Sequence, residues 1–355
     1  MTNKTPLYTK HLELKAKMIP FAGWEMPISY PTGIIAEHKA VRASCGIFDI
    51  GHMGLIKIKD KREKIKAMED YINKITTNDV RKLVDYSSQY SIICNEEGGV
   101  VDDILVYKFP EHYTLVVNAS NTDKVIDWLS KFSGEIQFEL LTNVSLLAVQ
   151  GPQAKGVIEK LTGTAPAVKR NHCYHYKDLI ISRTGYTGED GYELFVPHKT
   201  IEELWGFFID QKVKPCGLGC RDTLRLEAGY PLYGNEYNDK TTPLEAGYNW
   251  AVKLDKGQFV GQEKLITEKE TGVHKRLVGM VLSEKTVPRH GFKVFDVGAG
   301  QIGEVTSGTF SPSLEKPIAM AYINSGYTGN QLDVEIRGKR VSAEIVSLPF
   351  YKRKT

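Results

Sequence analysis

The sequence predicts an α+β protein that ends in a small all-β unit, a sandwich or a barrel. Ahead of residue 260, apolar residues switch between the two-residue period of strands and the longer period of helices. Strand pairs joined by tight turns recur there, which favours α+β units over a doubly wound parallel sheet. From residue 277 onward, short β-rich runs follow one another with Gly and Pro between them. A chain of 355 residues, 41% hydrophobic and 25% charged, fits a globular protein of two or three domains.

The elements follow in order. Residues 60–75 read as a helix, because Ile65, Met68, Ile72 and Ile75 recur at helical spacing with charges between them. Residues 88–94 and 100–109 read as strands of a hairpin, turned by Asn95-Glu96-Glu97-Gly98-Gly99. A strand at 113–118 and a helix at 122–132 come next, with Asn121 or Thr122 as N-cap. Residues 146–150 form a strand stopped by Gly151-Pro152, and 154–161 a helix. Strands at 179–183 and 192–196 flank a glycine-rich loop, and a helix at 201–212 carries Leu204, Phe207 and Phe208. A charged helical stretch, 261–275, connects to the β-rich end, with runs at 277–282, 293–295, 304–307, 318–323, 332–336 and 341–346.

Charge and cysteine content exclude several function classes. Lys+Arg 46 against Asp+Glu 43 leaves +3, too small a surplus for a protein built around nucleic acid. No apolar run reaches the roughly 18 residues of a membrane span. Met1-Thr2-Asn3-Lys4-Thr5-Pro6 lacks a hydrophobic signal core, so a cytoplasmic location is expected. Five scattered cysteines, an odd number, read as free structural thiols. Cys216 and Cys220 have the wrong spacing for a zinc or redox pair, and no carboxylate completes a metal set around His172, Cys173 and His175. His52 suits a packed core as well as a ligand.

Three stretches carry chemistry. In Val100-Val101-Asp102-Asp103-Ile104-Leu105-Val106-Tyr107, alternation puts Asp102 with Val100, Ile104 and Val106, and Asp103 with Val101, Leu105 and Tyr107. Both faces are otherwise apolar, so at least one carboxylate is buried and needs partners or a shifted pKa. The second stretch runs from Arg183 through Thr184-Gly185-Tyr186-Thr187-Gly188-Glu189-Asp190-Gly191-Tyr192 to Glu193. Its glycines permit unusual backbone angles and close approach, but a strand follows where a dinucleotide site requires a helix. A carboxylate at Glu193, inside an apolar strand, suits a ligand edge with two parallel N–H donors. In the third, residues 217–227, Arg221 and Arg225 share one helix face and Asp222 reaches Arg225 at i,i+3. Arg221 stands in the first turn, where the helix dipole gives a cation no help, so it calls for a specific partner.

Taken together, these stretches resemble the aminomethyltransferase, or T-protein, family of the glycine cleavage system. The resemblance runs from Phe21-Ala22-Gly23-Trp24-Glu25-Met26-Pro27 through Gly46-Ile47-Phe48-Asp49, His52-Met53-Gly54, Thr77-Asn78-Asp79, Asp102-Asp103, Asn118-Ala119-Ser120-Asn121 and Gln150-Gly151-Pro152 to Pro349-Phe350-Tyr351. It implies three domains around a central folate site: a discontinuous one at 1–53 and 145–255, an inserted α+β one at 54–144, and a C-terminal Greek-key β-barrel at 276–355. It implies transfer of the one-carbon unit of an aminomethyl group, carried on lipoylated H-protein, to tetrahydrofolate, with no metal or nicotinamide. Asp103 matches the catalytic carboxylate, Glu193 the carboxylate that grips the pterin edge, and Arg221 a folate-contacting arginine. Tyr90, Tyr107, Asn118, Tyr186 and Tyr230 match pocket positions, and Met53 and Tyr351 match more loosely. Partners implied are H-protein and the folate, with neither nucleic acid nor membrane.

Gly51 stands where Ser is usual in the family, and Cys220 where Ala is usual. A related group that supports iron–sulfur maturation carries a cysteine two residues after the lysine of its signature; here Lys256-Gly257-Gln258-Phe259 has none. A folate-dependent demethylase of small methylated compounds is the other alternative. Basic segments at Lys275-Arg276 and Lys352-Arg353-Lys354 suit weak attraction to an acidic carrier protein.

Overall fold

The computed structural model describes residues 2–298 and 300–353; Lys354 lies outside them. A six-stranded sheet has the order Cys173–Tyr176, Leu179–Ser182, Gly191–Pro197, Val144–Gln150, Gly46–Asp49, Lys214–Pro215. Val144–Gln150 pairs antiparallel with both Gly46–Asp49 and Gly191–Pro197. Between Gly46–Asp49 and Val144–Gln150 the chain builds a second sheet, ordered Ser87–Cys94, Val100–Phe109, His112–Val117, Gly54–Asp60, Ile136–Leu140.

Strand alternation gives each sheet two apolar faces. On the first, Leu147, Val149, Tyr192, Leu194 and Val196 pack against Ile201, Leu204, Trp205 and Phe208 of helix His198–Asp210. On the second, Ile56, Ile58, Ile104, Val106 and Leu115 pack against Met68, Ile72 and Ile75 of helix Ile65–Ile75 and against Val125 and Leu129 of helix Thr122–Ser130. The remaining faces meet each other: Phe48, Leu146, Ala148 and Phe195 from one sheet join Leu55, Leu105, Tyr107, Phe109 and Val116 from the other in a single core. Helix Leu218–Glu227 contributes Cys220 and Leu224 to this junction.

The six C-terminal runs are strands of a closed barrel, ordered Lys275–Leu282, Lys316–Asn324, Gln301–Ser311, Lys293–Asp296, Gln331–Ile336, Lys339–Val346. Closure removes the free edges that a sandwich would leave. Val278, Met280, Val294, Val305, Ala321, Ile323, Leu332 and Val334 fill it. The connector is the helix Gln262–Thr271. The barrel packs Ile318 and Met320 against Leu226 of helix Leu218–Glu227.

Two local expectations are corrected and one is refined. The helix expected from residue 60 starts at Ile65, because Gly54–Asp60 is a strand and the Asp60 carboxylate turns the chain by accepting the Arg62 and Lys64 N–H groups. Asn121 is the N-cap residue of helix Thr122–Ser130, but its side chain makes no capping bond, because its amide is committed to Asp102. Val100 and Val101 exchange faces. A bulge pairs Ile93 with Asp102 but Cys94 with Val100, so Val101 joins Ile104 and Val106 while Val100 packs near Tyr237 and Leu244. Among the described residues, no helix is long and apolar enough to cross a membrane.

Candidate functional site

The alternation that fills the junction also delivers its polar groups. Asp103 shares a strand face with Leu105 and Tyr107, and Glu193 shares one with Phe195, so both carboxylates point toward the meeting of the two sheets. Arg221 enters from the third side, next to Cys220 in helix Leu218–Glu227.

The adjacent aspartates have separate tasks. Asp102 is fully buried and accepts from Asn118 N at 3.0 Å, Asn118 Nδ2 at 2.8 Å and Asn121 Nδ2 at 2.6 Å. It thereby fixes the turn after His112–Val117. Asp103 is partly exposed; Asn118 Nδ2 donates to Oδ1 at 2.9 Å and the Tyr90 hydroxyl to Oδ2 at 3.2 Å. Burial raises both carboxyls above the usual range, and the charge on Asp103 raises Asp102 further. The donors from Asn118 and Tyr90 pull Asp103 back toward the charged form.

Glu193 is 7% exposed, and Thr184 Oγ1 donates to its Oε2 at 2.6 Å. Behind Thr184 stands Tyr107, 1% exposed, whose hydroxyl lies 3.2 Å from Thr184 Oγ1 and donates to Ser182 at 3.1 Å. Tyr107 therefore supports Glu193 from within the core. Burial raises the Glu193 carboxyl, and Thr184 and Arg221 oppose that shift.

The Arg221 guanidinium lies 4.8 Å from the Tyr186 ring centre, and its buried Nη1 has no hydrogen-bond partner. Burial lowers its pKa, with the charge of Glu193 acting the other way. Its charge, after burial, also pushes His52 down to about 4, so that imidazole is a neutral core group packed edge-on against Phe21. Tyr186 stacks on Tyr230 at 5.6 Å and its hydroxyl donates to the Pro231 carbonyl. Met53 packs on the junction core that includes Tyr107. Tyr351 lies elsewhere, with the Arg42 guanidinium 4.0 Å from its ring centre.

Two features read differently in three dimensions. Gly185 and Gly191 are needed for Gln150: a Cβ would lie 2.0 Å and 2.5 Å from its side-chain atoms. The loop is closed by the Arg183–Asp190 pair, with bonds of 2.9 and 2.6 Å. Cys220 is fully buried in the junction core, beside Cys216 and Glu37. Within that group the Glu37 carboxylate already accepts Tyr30 N and Gly217 N.

The residues without an earlier signal are an aromatic set beside Tyr90 and a carboxylate hub. Tyr248 and Trp250 lie 5.7 and 5.5 Å from the Tyr90 ring, and Tyr237 OH is 3.4 Å from its hydroxyl. Glu227 accepts from His38, Arg42, Ser311 and Ser313. Arg225 pairs with Asp222 at 2.8 Å, as its spacing suggests, and is 1% exposed because it also binds Glu236 at 3.0 Å.

An inserted sheet, a buried anion–cation junction and a closed terminal barrel define a two-part architecture, and both parts match known families. Residues 7–256 match the GCVT N-terminal domain, and residues 275–352 the glycine cleavage T-protein C-terminal barrel domain. The chain belongs to the glycine cleavage T-protein family. It is 44% identical to an aminomethyltransferase of Thermoanaerobacter pseudethanolicus, over 99% of this chain and 98% of that one. It is 44% identical to one from Chloroherpeton thalassium, over 98% of each. A crystal structure of glycine cleavage system aminomethyltransferase T from Bartonella henselae superposes with a TM-score of 0.93 at 35% identity, over 100% of this chain and 99% of that one.

Proposed function

We propose that this protein is a tetrahydrofolate-dependent aminomethyltransferase of the glycine cleavage system, working in the cytoplasm on lipoylated H-protein. The aminomethyl carbon leaves its sulfur and its amine and becomes bonded to two folate nitrogens. The products are 5,10-methylenetetrahydrofolate, ammonia and the dihydrolipoyl arm. Reduced folate supplies the amine nitrogens that accept the carbon.

The observation that carries this reading is the junction's incomplete polar shell: a buried guanidinium with an unpartnered Nη1 near the burial-raised Glu193, and a second burial-raised carboxyl, Asp103, acting with that guanidinium on the same Tyr186. A ligand with an amidine-like donor edge and carbonyl or carboxylate acceptors fits that shell. Glu193, oriented by Thr184, offers its carboxylate to parallel N–H donors of the pterin. Arg221 donates to an acceptor on the folate, while Tyr186 and Tyr230 supply a stacked aromatic wall. Asp103, steered by Asn118 and Tyr90, holds a proton or a developing cation at the reacting nitrogens. Met53 and Tyr107 pack behind them in the junction core, while Tyr351, beside Arg42, is given no part in holding the folate.

The test is an assay with aminomethylated H-protein and tetrahydrofolate, following methylenetetrahydrofolate and ammonia. Equal amounts of both are expected. Absence of product, or a preference for free small methylated compounds, would overturn the reading.

A further inference from the structure

Lys256 is a buried amino group that the chemistry above does not use; burial pushes it down to about 7, and the charge of Asp79 acts the other way. It is 7% exposed, and its Nζ donates to the main-chain oxygens of Asn73 at 2.6 Å, Thr76 at 2.5 Å and Asn78 at 3.0 Å. An ammonium group has three N–H donors, and here each meets a carbonyl at or just beyond the C-terminal end of helix Ile65–Ile75, the end that favours a cation. The charged groups facing it are Asp79 and Arg81, which are already paired with each other at 2.8 Å. The carbonyl cage is therefore its main partner.

The cage joins two distant parts of the chain. Arg81 donates to the Lys256 carbonyl at 2.7 Å, Lys253 N to Thr77 O at 2.9 Å, and Thr77 Oγ1 to Ala251 O at 2.9 Å. The turn after helix Ile65–Ile75 is thus stitched to the segment that follows Tyr248 and Trp250. From Asn78 the contacts continue into the site. Its Nδ2 donates to Tyr90 O at 2.9 Å, and its main-chain N–H to Ser91 Oγ at 3.0 Å. Tyr90 in turn packs against Tyr248 and Trp250 and donates its hydroxyl to Asp103.

We infer that Lys256 is a positioning residue for the reacting carboxylate: by holding the Asn78 carbonyl it fixes Tyr90, and Tyr90 fixes Asp103. This rests on the assignment of Asp103 proposed above. A lysine that only capped the helix would affect stability and leave Asp103 unchanged. A lysine that positions Tyr90 also governs a hydrogen bond favouring the charged form of Asp103, so its loss moves the Asp103 titration upward.

The experiment compares wild type with Lys256→Met, Tyr90→Phe and their double variant, reading the Asp103 carboxyl by carbon-13 NMR against pH, with Asp103→Asn to assign the signal. Tyr90→Phe is expected to raise the midpoint by roughly one pH unit. Lys256→Met should raise it comparably, and the double variant no further than the larger single change. On the acid side of the rate profile, a one-unit rise lowers kcat about tenfold, with the KM for folate nearly unchanged. A Lys256→Met protein that melts earlier but keeps the wild-type midpoint overturns the inference. If Lys256→Met does not fold, Asn78→Ala decides. It spares the lysine's cage and cuts the link to Tyr90, so an upward midpoint supports the inference and an unmoved one overturns it. The titration needs no substrate, so it stands apart from the wild-type turnover that tests the proposed reaction.

Discussion

At its C-terminal end, helix Leu218–Glu227 buries Glu227 among donors from His38, Arg42, Ser311 and Ser313, whereas near its start it buries an Arg221 whose Nη1 has none. Burial alone would raise the Glu227 carboxyl, yet His38, Ser311 and the charge of Arg42 bring it down to about 2. At Arg221 burial prevails, and the guanidinium is held less tightly charged than usual. The two ends differ in purpose. Glu227 is complete without a ligand and locks the barrel onto the helix through Ser311 and Ser313. A buried donor without an acceptor costs about 1–3 kcal/mol, and a bound molecule that supplies the acceptor offsets that cost.

Four variants or conditions sharpen this contrast. The largest effect is expected from Asp103→Asn at the incomplete end. Removing a proton-handling carboxylate lowers kcat about 10²–10⁴-fold, with the melting temperature near wild type; normal turnover would remove Asp103 from the chemistry. Next is Glu193→Gln, which leaves Arg221 without its nearby negative charge and weakens one side of a charge-assisted donor pair. Folate affinity should fall by about 2–5 kcal/mol, measured by calorimetric titration, while stability without ligand changes little.

Glu227→Gln should do the reverse. A carboxyl held below its unfolded value contributes stability above about pH 4.5 and loses it as pH falls toward about 2. The wild-type protein should therefore lose on the order of 3 kcal/mol across that window. Glu227→Gln should show a flatter acid limb in urea unfolding, and an unchanged limb would contradict the hub. The smallest effect concerns the carrier. The chain is slightly basic, with a pI of about 8.4, and charge steering fades as salt shortens the screening length to about 8 Å. Turnover of carrier-bound substrate should fall severalfold with salt, and turnover of free aminomethyl-lipoate much less. Equal salt dependence would exclude steering.

The same contrast separates what the sequence reveals from what it hides. The barrel was legible because alternating apolar runs between Gly and Pro have a local cause, and every run became a strand. Val100–Phe109 was legible for the same reason, except at the bulge, where pairing with Ile93 and Cys94 overrides simple alternation. Gly54–Asp60 has the same two-residue period, Lys57 and Lys59 alternating with Ile56 and Ile58, but its last residue, Asp60, also opens the charged run that reads as the start of the following helix. Asp103 and Glu193 stood out as charges in apolar strands, and Arg221 as a cation in the first turn of a helix, signals carried by their immediate neighbours. Glu227, Arg42 and Lys256 gave no such signal, since their partners lie far away in the chain: Arg42 to Glu227, Lys256 to Asn73, Thr76 and Asn78. The glycines at 185 and 191 were visible, but their reason, the Gln150 side chain, was not.

The central claim is that the incomplete end of the junction is completed by a reduced folate. Thermal unfolding of the wild-type protein and of Arg221→Met, each with and without saturating tetrahydrofolate, tests it most directly. A ligand that binds only the folded state, present at 100 times its dissociation constant, adds about 2.7 kcal/mol. The account predicts a clear rise in melting temperature for the wild type and a much smaller one for Arg221→Met at the same folate concentration. No rise in the wild type, or an equal rise in both, would contradict it.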